Sequence, residues 1–245
     1  MSSRWWRQLF QRMKLSGRKQ QSVLETVGHR RVTRSQATAL LQCLEYVTEN
    51  VSFFGLFLST GQMDQVDQIY RKIKSGDSEL MDYLVDTSAP RECAIAMHRF
   101  FRTYKITILP KRALSLLSAR NDGIPRRLVA LDVLNLIHHE SSSGMRLQLA
   151  TAYLRMMQQL TLRGYLTPNE IRIVISPYVA APVLLPGPNT MRDIATKSAT
   201  LLELFLNVDL LDDPERLSEE LGRESARLQR RRQCRRCGVV TSEQR

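Results

Sequence analysis

Few residues in this chain of 245 stand at spacings that could do chemistry. The clearest sulfur pair is Cys234 and Cys237, a single Cys-x-x-Cys inside "RRRQCRRCG". A tetrahedral zinc site needs four nitrogen or sulfur ligands, and neither a second cysteine pair nor a nearby histidine supplies the other two. No metal is expected. A redox pair or a palmitoylation site beside the arginines is the functional reading of Cys234 and Cys237, against a solvated tail. His138, His139 and Glu140 place three ligand types in a row, but successive residues on a helix point about 100° apart. They read as a helix end. No cofactor is expected.

A different kind of signal lies in "FFGLFLSTGQ", residues 53–62. It is a short loop bounded by Gly55 and Gly61, with an apolar middle of Leu56, Phe57 and Leu58. No Arg or Lys occurs anywhere in residues 51–69, so this loop has no cation to present.

The cations are at the ends. The chain carries 36 Lys+Arg against 24 Asp+Glu, a formal net charge of +12. Residues 1–34 hold nine of these cations against Glu25 alone, and residues 227–245 hold seven arginines against Glu243 alone. The two ends together exceed the net charge of the whole, so the residues between them are slightly acidic. That distribution points to basic tails meeting anionic surfaces rather than to a nucleic-acid-binding core.

In "SRWWRQLFQRMK" the residues Trp5, Trp6, Leu9, Phe10 and Met13 share one helical face, with Arg4, Arg7, Arg12 and Lys14 around the other. This is the layout of an interfacial helix, with tryptophans at headgroup level and arginines on anionic lipid. Packing of the same face on the protein or on a partner, and a targeting role, are the alternatives. The arginine-rich C-terminal tail lacks stacking aromatics, so no specific nucleic acid is expected as a partner.

The elements that must position these residues are helices. The chain is 43% hydrophobic with a mean hydropathy of −0.27, ordinary for a globular protein, and lacks the roughly 20 apolar residues in a row of a membrane span. Apolar residues recur at helical spacing at Leu40, Leu44, Val47 and Val51, and again at Met63, Val66, Ile69, Tyr70 and Ile73 before the stop at Gly76. Further stripes run through Cys93, Met97, Phe100, Phe101 and Tyr104, through Leu128, Leu131, Leu134 and Ile137, and through Ala150, Tyr153, Leu154, Met157 and Leu160. Thr167-Pro168 reads as a cap followed by proline at the first helical position, opening a helix over residues 171–175. Leu201, Leu202, Phe205 and Leu206 close the set. The fold class is all-α. A basic arm over 1–34, a helical domain over 35–212 and a charged helix with a basic tail over 213–245 are expected. Cys43 and Cys93 lie in apolar patterns and read as buried free thiols of a reducing compartment.

Taken in order, five blocks resemble the Rho GTPase-activating (RhoGAP) domain. "LLQCLEYVTENV" (40–51) is similar to its opening helix, and "FGLFLSTGQMDQVDQIYRKIKSGD" (54–77) to its "G-I/L-F-R-V-S-G" segment. "AMHRFFRTYKITILP" (96–110) resembles "L-K-R-F-L-R-E-L-P-E-P-L-L-P", and "LTPNEIRIVISPYVAAPVLL" (166–185) resembles "M-T-x-x-N-L-A-I-V-F-G-P-N-L-L". "LLELFLNVD" (201–209) resembles the closing helix. The resemblance spans about residues 36–210 and implies a RhoGAP-like helical bundle whose partner is a Rho-family small GTPase.

In that family an arginine finger inserted in trans neutralises charge on the transferring phosphoryl group and is worth about 10³–10⁵ in rate. The finger position falls on Leu58 here, which has neither charge nor donor. The family lysine is replaced by His98, and the two family asparagines by Glu170 and Tyr178. Gly55, Phe57, Gly61, Arg99, Phe100, Arg102 and Pro177 keep the pattern. The GTPase-facing candidates are therefore Leu58, Ser59, His98, Arg102, Glu170 and Tyr178, with no catalytic residue among them. Arg102 reads first as a helix-to-helix hydrogen-bonder and second as a partner contact. The resemblance implies a pseudo-activator, cytoplasmic or peripheral at a membrane, that binds a GTPase without being an enzyme. The alternatives are an activator supplying Arg102 or Arg120 from outside the loop, and a membrane-surface scaffold that binds no GTPase.

Overall fold

The computed structural model describes residues 32–50, 56, 61–141, 144–166, 171 and 190–237. Among them are nine α-helices, one 3-10 helix and no strand, so the all-α expectation is borne out. The helices are α1 (Arg34–Asn50), α2 (Met63–Ser75), α3 (Leu80–Thr87), α4 (Pro90–Tyr104), α5 (Lys111–Ser118), α6 (Arg126–Glu140), α7 (Gly144–Leu162), α8 (Thr190–Leu206) and α9 (Pro214–Cys237). The 3-10 helix, Val208–Asp212, joins the last two.

Local chemistry sets several of these boundaries. Thr33 and Gln36 cap α1 reciprocally: the Thr33 amide donates to Gln36 Oε1 at 3.0 Å, and the Gln36 amide to Thr33 Oγ1 at 3.3 Å. The basic last turn of α2 ends at Gly76 with φ 69°, and the amides of Gly76 and Asp77 return to Ile73 O and Lys72 O. A Cβ on Gly76 would also lie 2.5 Å from Ser35 Cβ, so glycine here lets the end of α2 abut the start of α1. Pro90 starts α4 at a position where its missing amide costs nothing.

Two helices organise the bundle. α1 packs on α2, α3, α4 and α7, whereas α6 packs on α5, α8 and α9. α7 joins the two sets through its contacts with α1, α6 and α8. The buried Arg146 on α7 reaches the α4–α5 connection, donating to Ile108 O at 3.5 Å and Leu109 O at 3.4 Å. One continuous apolar core results, with Tyr153, Phe100, Phe101 and Phe205 among its largest fully buried side chains. The first part of α9 belongs to this body, because Leu217 is buried and Arg127 of α6 pairs with Glu220 at 2.9 Å. Among the described residues no helix is long and apolar enough to cross a membrane.

Candidate functional site

α2 and α4 lie side by side and run in the same direction. The Gln62 amide donates to Glu92 Oε1 at 3.0 Å, Arg99 pairs with Asp67, and the Tyr70 and Phe100 rings lie 6.2 Å apart. Contacts thus advance together along both helices. The glycine-bounded loop consequently enters α2 beside the first turn of α4. Gly61 makes that approach possible, since a Cβ there would lie 2.7 Å from Glu92 Oε1. At the other flank Leu56 is buried in the common core. The described residues that bracket positions 57–60 are therefore both fixed to the body of the protein.

α4 carries the other described candidates. Cys93, Met97, Phe100 and Phe101 face the core. His98 is half-buried, and its pKa is lowered from 6.5 to about 4, first by burial and second by the charge of Arg102. It is a neutral imidazole at pH 7, unlike the ammonium that the resemblance places there. Arg99 is exposed, sits 4.9 Å over the Tyr70 ring and pairs with Asp67 across to α2.

Arg102 is exposed rather than buried in the bundle, because it lies nine residues after Cys93, about 180° around the helix from the buried stripe. Along the axis it is ten residues beyond Glu92, about 15 Å from the loop's entry to α2. Arg120, the other alternative cation, is also exposed.

The remaining partner-facing candidates, Leu58, Ser59, Glu170 and Tyr178, lie outside the described residues, as do Arg4, Trp5, Trp6, Arg7, Leu9, Phe10, Arg12 and Lys14 of the arm. The helix expected over residues 171–175 is described only at Ile171, which is helical and buried. His138 and His139 occupy the last turn of α6 with rings 5.2 Å apart, and Glu140 pairs with Arg112 at 2.8 Å. No group of three or more His, Cys, Asp or Glu residues suited to a metal ion occurs among the described residues. Cys43 and Cys93 are free and buried where α1 meets α4, with Cys93 Sγ 3.8 Å from Cys43 O.

A cavity of about 110 Å³ opens between α1 and α7. Leu41, Leu44 and Ala152 give it an apolar wall, and Glu45, Glu49 and Arg155 are its ionic residues. Arg155 pairs with Asp212, whereas neither glutamate pairs with a cation among the described residues. Glu45 is half-buried, and its pKa is raised, first by burial and then by the neighbouring Glu49. Sequence reasoning passed over these glutamates and over Glu92. A signal existed for the pair, since Glu45 and Glu49 follow Leu41 and Leu44 at helical spacing beside the apolar stripe. None existed for Glu92, whose partner Gln62 is 30 residues away in the chain.

Comparison with protein-family models, curated proteins and solved structures gives no match.

Proposed function

We propose that this chain is a non-catalytic, RhoGAP-like binding module that engages a Rho-family small GTPase without accelerating its hydrolysis. The observation that carries the proposal is the fixing of the described residues that flank positions 57–60, by buried Leu56 on one side and the Gln62–Glu92 bond beside Gly61 on the other. A loop that must present a residue inside a partner's nucleotide pocket needs such fixed flanks, because misplacement by about 1 Å can cost 10²-fold. At the finger position of the resemblance the sequence has Leu58, whose type supports contact without charge neutralisation. Neutral His98 in place of an ammonium supports the same reading.

The test is a pulldown of nucleotide-loaded Rho-family GTPases, joined to single-turnover GTP hydrolysis. Binding to the form loaded with a nonhydrolysable analogue, with no change in hydrolysis rate, is the expected pair of results. Acceleration of a hundredfold or more would overturn it and favour the reading in which an exposed arginine, Arg102 or Arg120, acts as the finger. Absence of binding to every GTPase tested would leave only the fold.

A further inference from the structure

The α1–α7 cavity joins two features that a folded protein has reason to avoid. Its apolar wall opens to the surface, and two glutamates four residues apart stand beside it, neither in an ion pair with a cation among the described residues. Like charges at this spacing on a helix are mutually destabilising, and burial of Glu45 adds to the cost of its charge. Arg155 does not relieve them, since its guanidinium is committed to Asp212. A ligand fitted to this place carries an apolar side chain for the wall and cations for the glutamates.

The same chain contains a segment of that chemistry. Counted at helical spacing, the sequence of residues 4–14 groups Trp5, Trp6, Leu9 and Phe10 together with Arg7 and Arg12 beside them. The span from Glu45 back to the start of α1 at Arg34 is about 16 Å at 1.5 Å per residue. The residues between Lys14 and Arg34 can reach about 60 Å when extended, which covers that distance with slack. We propose that residues 4–14 dock in the α1–α7 groove, with an aromatic or leucine side chain against Leu41, Leu44 and Ala152 and arginines against Glu45 and Glu49. The docked arm hides its tryptophans from any lipid surface and lies along the C-terminal half of α1, the helix that leads toward the glycine-bounded loop. This inference does not depend on the GTPase reading.

Both tryptophans of the chain are in the arm, so intrinsic tryptophan fluorescence reports on this segment alone. In the full chain without lipid, docking predicts blue-shifted emission and weak quenching by acrylamide. Glu45→Lys with Glu49→Lys, folded by circular dichroism, should shift the docked-to-free ratio by roughly tenfold or more, reddening the emission and strengthening quenching. Arg7→Glu with Arg12→Glu should do the same from the other side. Combining the two pairs of substitutions should restore the blue-shifted emission. Emission of fully exposed tryptophan in the unmodified chain would overturn the proposal. So would tryptophans that stay protected in both folded charge-reversal variants, which would place the arm elsewhere on the protein. Emission that turns blue only when anionic vesicles are added would assign the arm to a membrane instead.

Discussion

Acid should loosen this fold through His98, and the size of the effect follows from where the imidazole sits. Burial and the nearby Arg102 charge hold its pKa at about 4 in the folded protein, against 6.5 when unperturbed. Between those values the unfolded chain binds a proton that the folded chain refuses, so stability is complete above pH 6.5 and falls as the pH drops toward 4. From pH 7 to pH 5 the imidazole contributes a loss of about 1–2 kcal/mol, the lower figure allowing for its partial exposure. Urea denaturation of the unmodified chain and of His98→Gln at both pH values isolates this term. Groups such as Glu45 and Asp132, whose pKa values are raised, respond in the opposite sense and cancel in the comparison. His98→Gln should retain about 1–2 kcal/mol more of its stability on acidification than the unmodified chain does. Arg102→Gln should give a smaller gain in the same direction. Equal losses in His98→Gln and the unmodified chain would refute the argument that burial keeps this imidazole neutral.

Other outcomes follow from single contacts. Gly76→Ala forces a left-handed φ on alanine and drives its Cβ into Ser35, so denaturation should show a loss of at least about 2 kcal/mol. Gly61→Ala displaces Glu92 from the Gln62 amide and should cost about 1 kcal/mol, measured the same way. With Cys234 and Cys237 replaced by serine, Ellman's reagent should find no reactive thiol until denaturant is added. Both remaining cysteines are buried, and burial pushes the Cys93 thiol well above its ordinary pKa. Under the proposed RhoGAP-like reading, Leu58→Arg should confer little acceleration of GTP hydrolysis in a single-turnover assay, because Glu170 and Tyr178 stand where the resemblance places asparagines; a large acceleration would mean that, of the departures from that pattern, only Leu58 matters.

The long helices were legible because their apolar stripes run over several turns. Leu40, Leu44 and Val47 mark the buried face of α1, and Gly76 marks the end of α2 as its basic last turn suggests. α3 and α5 were not anticipated, since eight residues hold barely two turns and leave no period to count. The Thr33–Gln36 cap was readable as Thr-x-x-Gln and was passed over. At the site, periodicity alone could have put Arg102 opposite the face of Cys93, Met97 and Phe100, but the family pattern suggested a packed arginine instead. The Gly61–Glu92 approach and the α1–α7 cavity were out of reach of local patterning. Each depends on residues brought together across helices, at separations where the sequence shows only a glycine or an acidic residue.

The claim that this chain holds a GTPase without helping it is tested most directly by competition. A Rho-family GTPase loaded with GTP is given a limiting amount of an active RhoGAP domain, and single-turnover hydrolysis is followed as this chain is titrated in. Occupation of the same surface without catalysis predicts a saturable slowing, down to the intrinsic rate of the GTPase. A rate that does not change, or one that rises with added chain, would contradict the account.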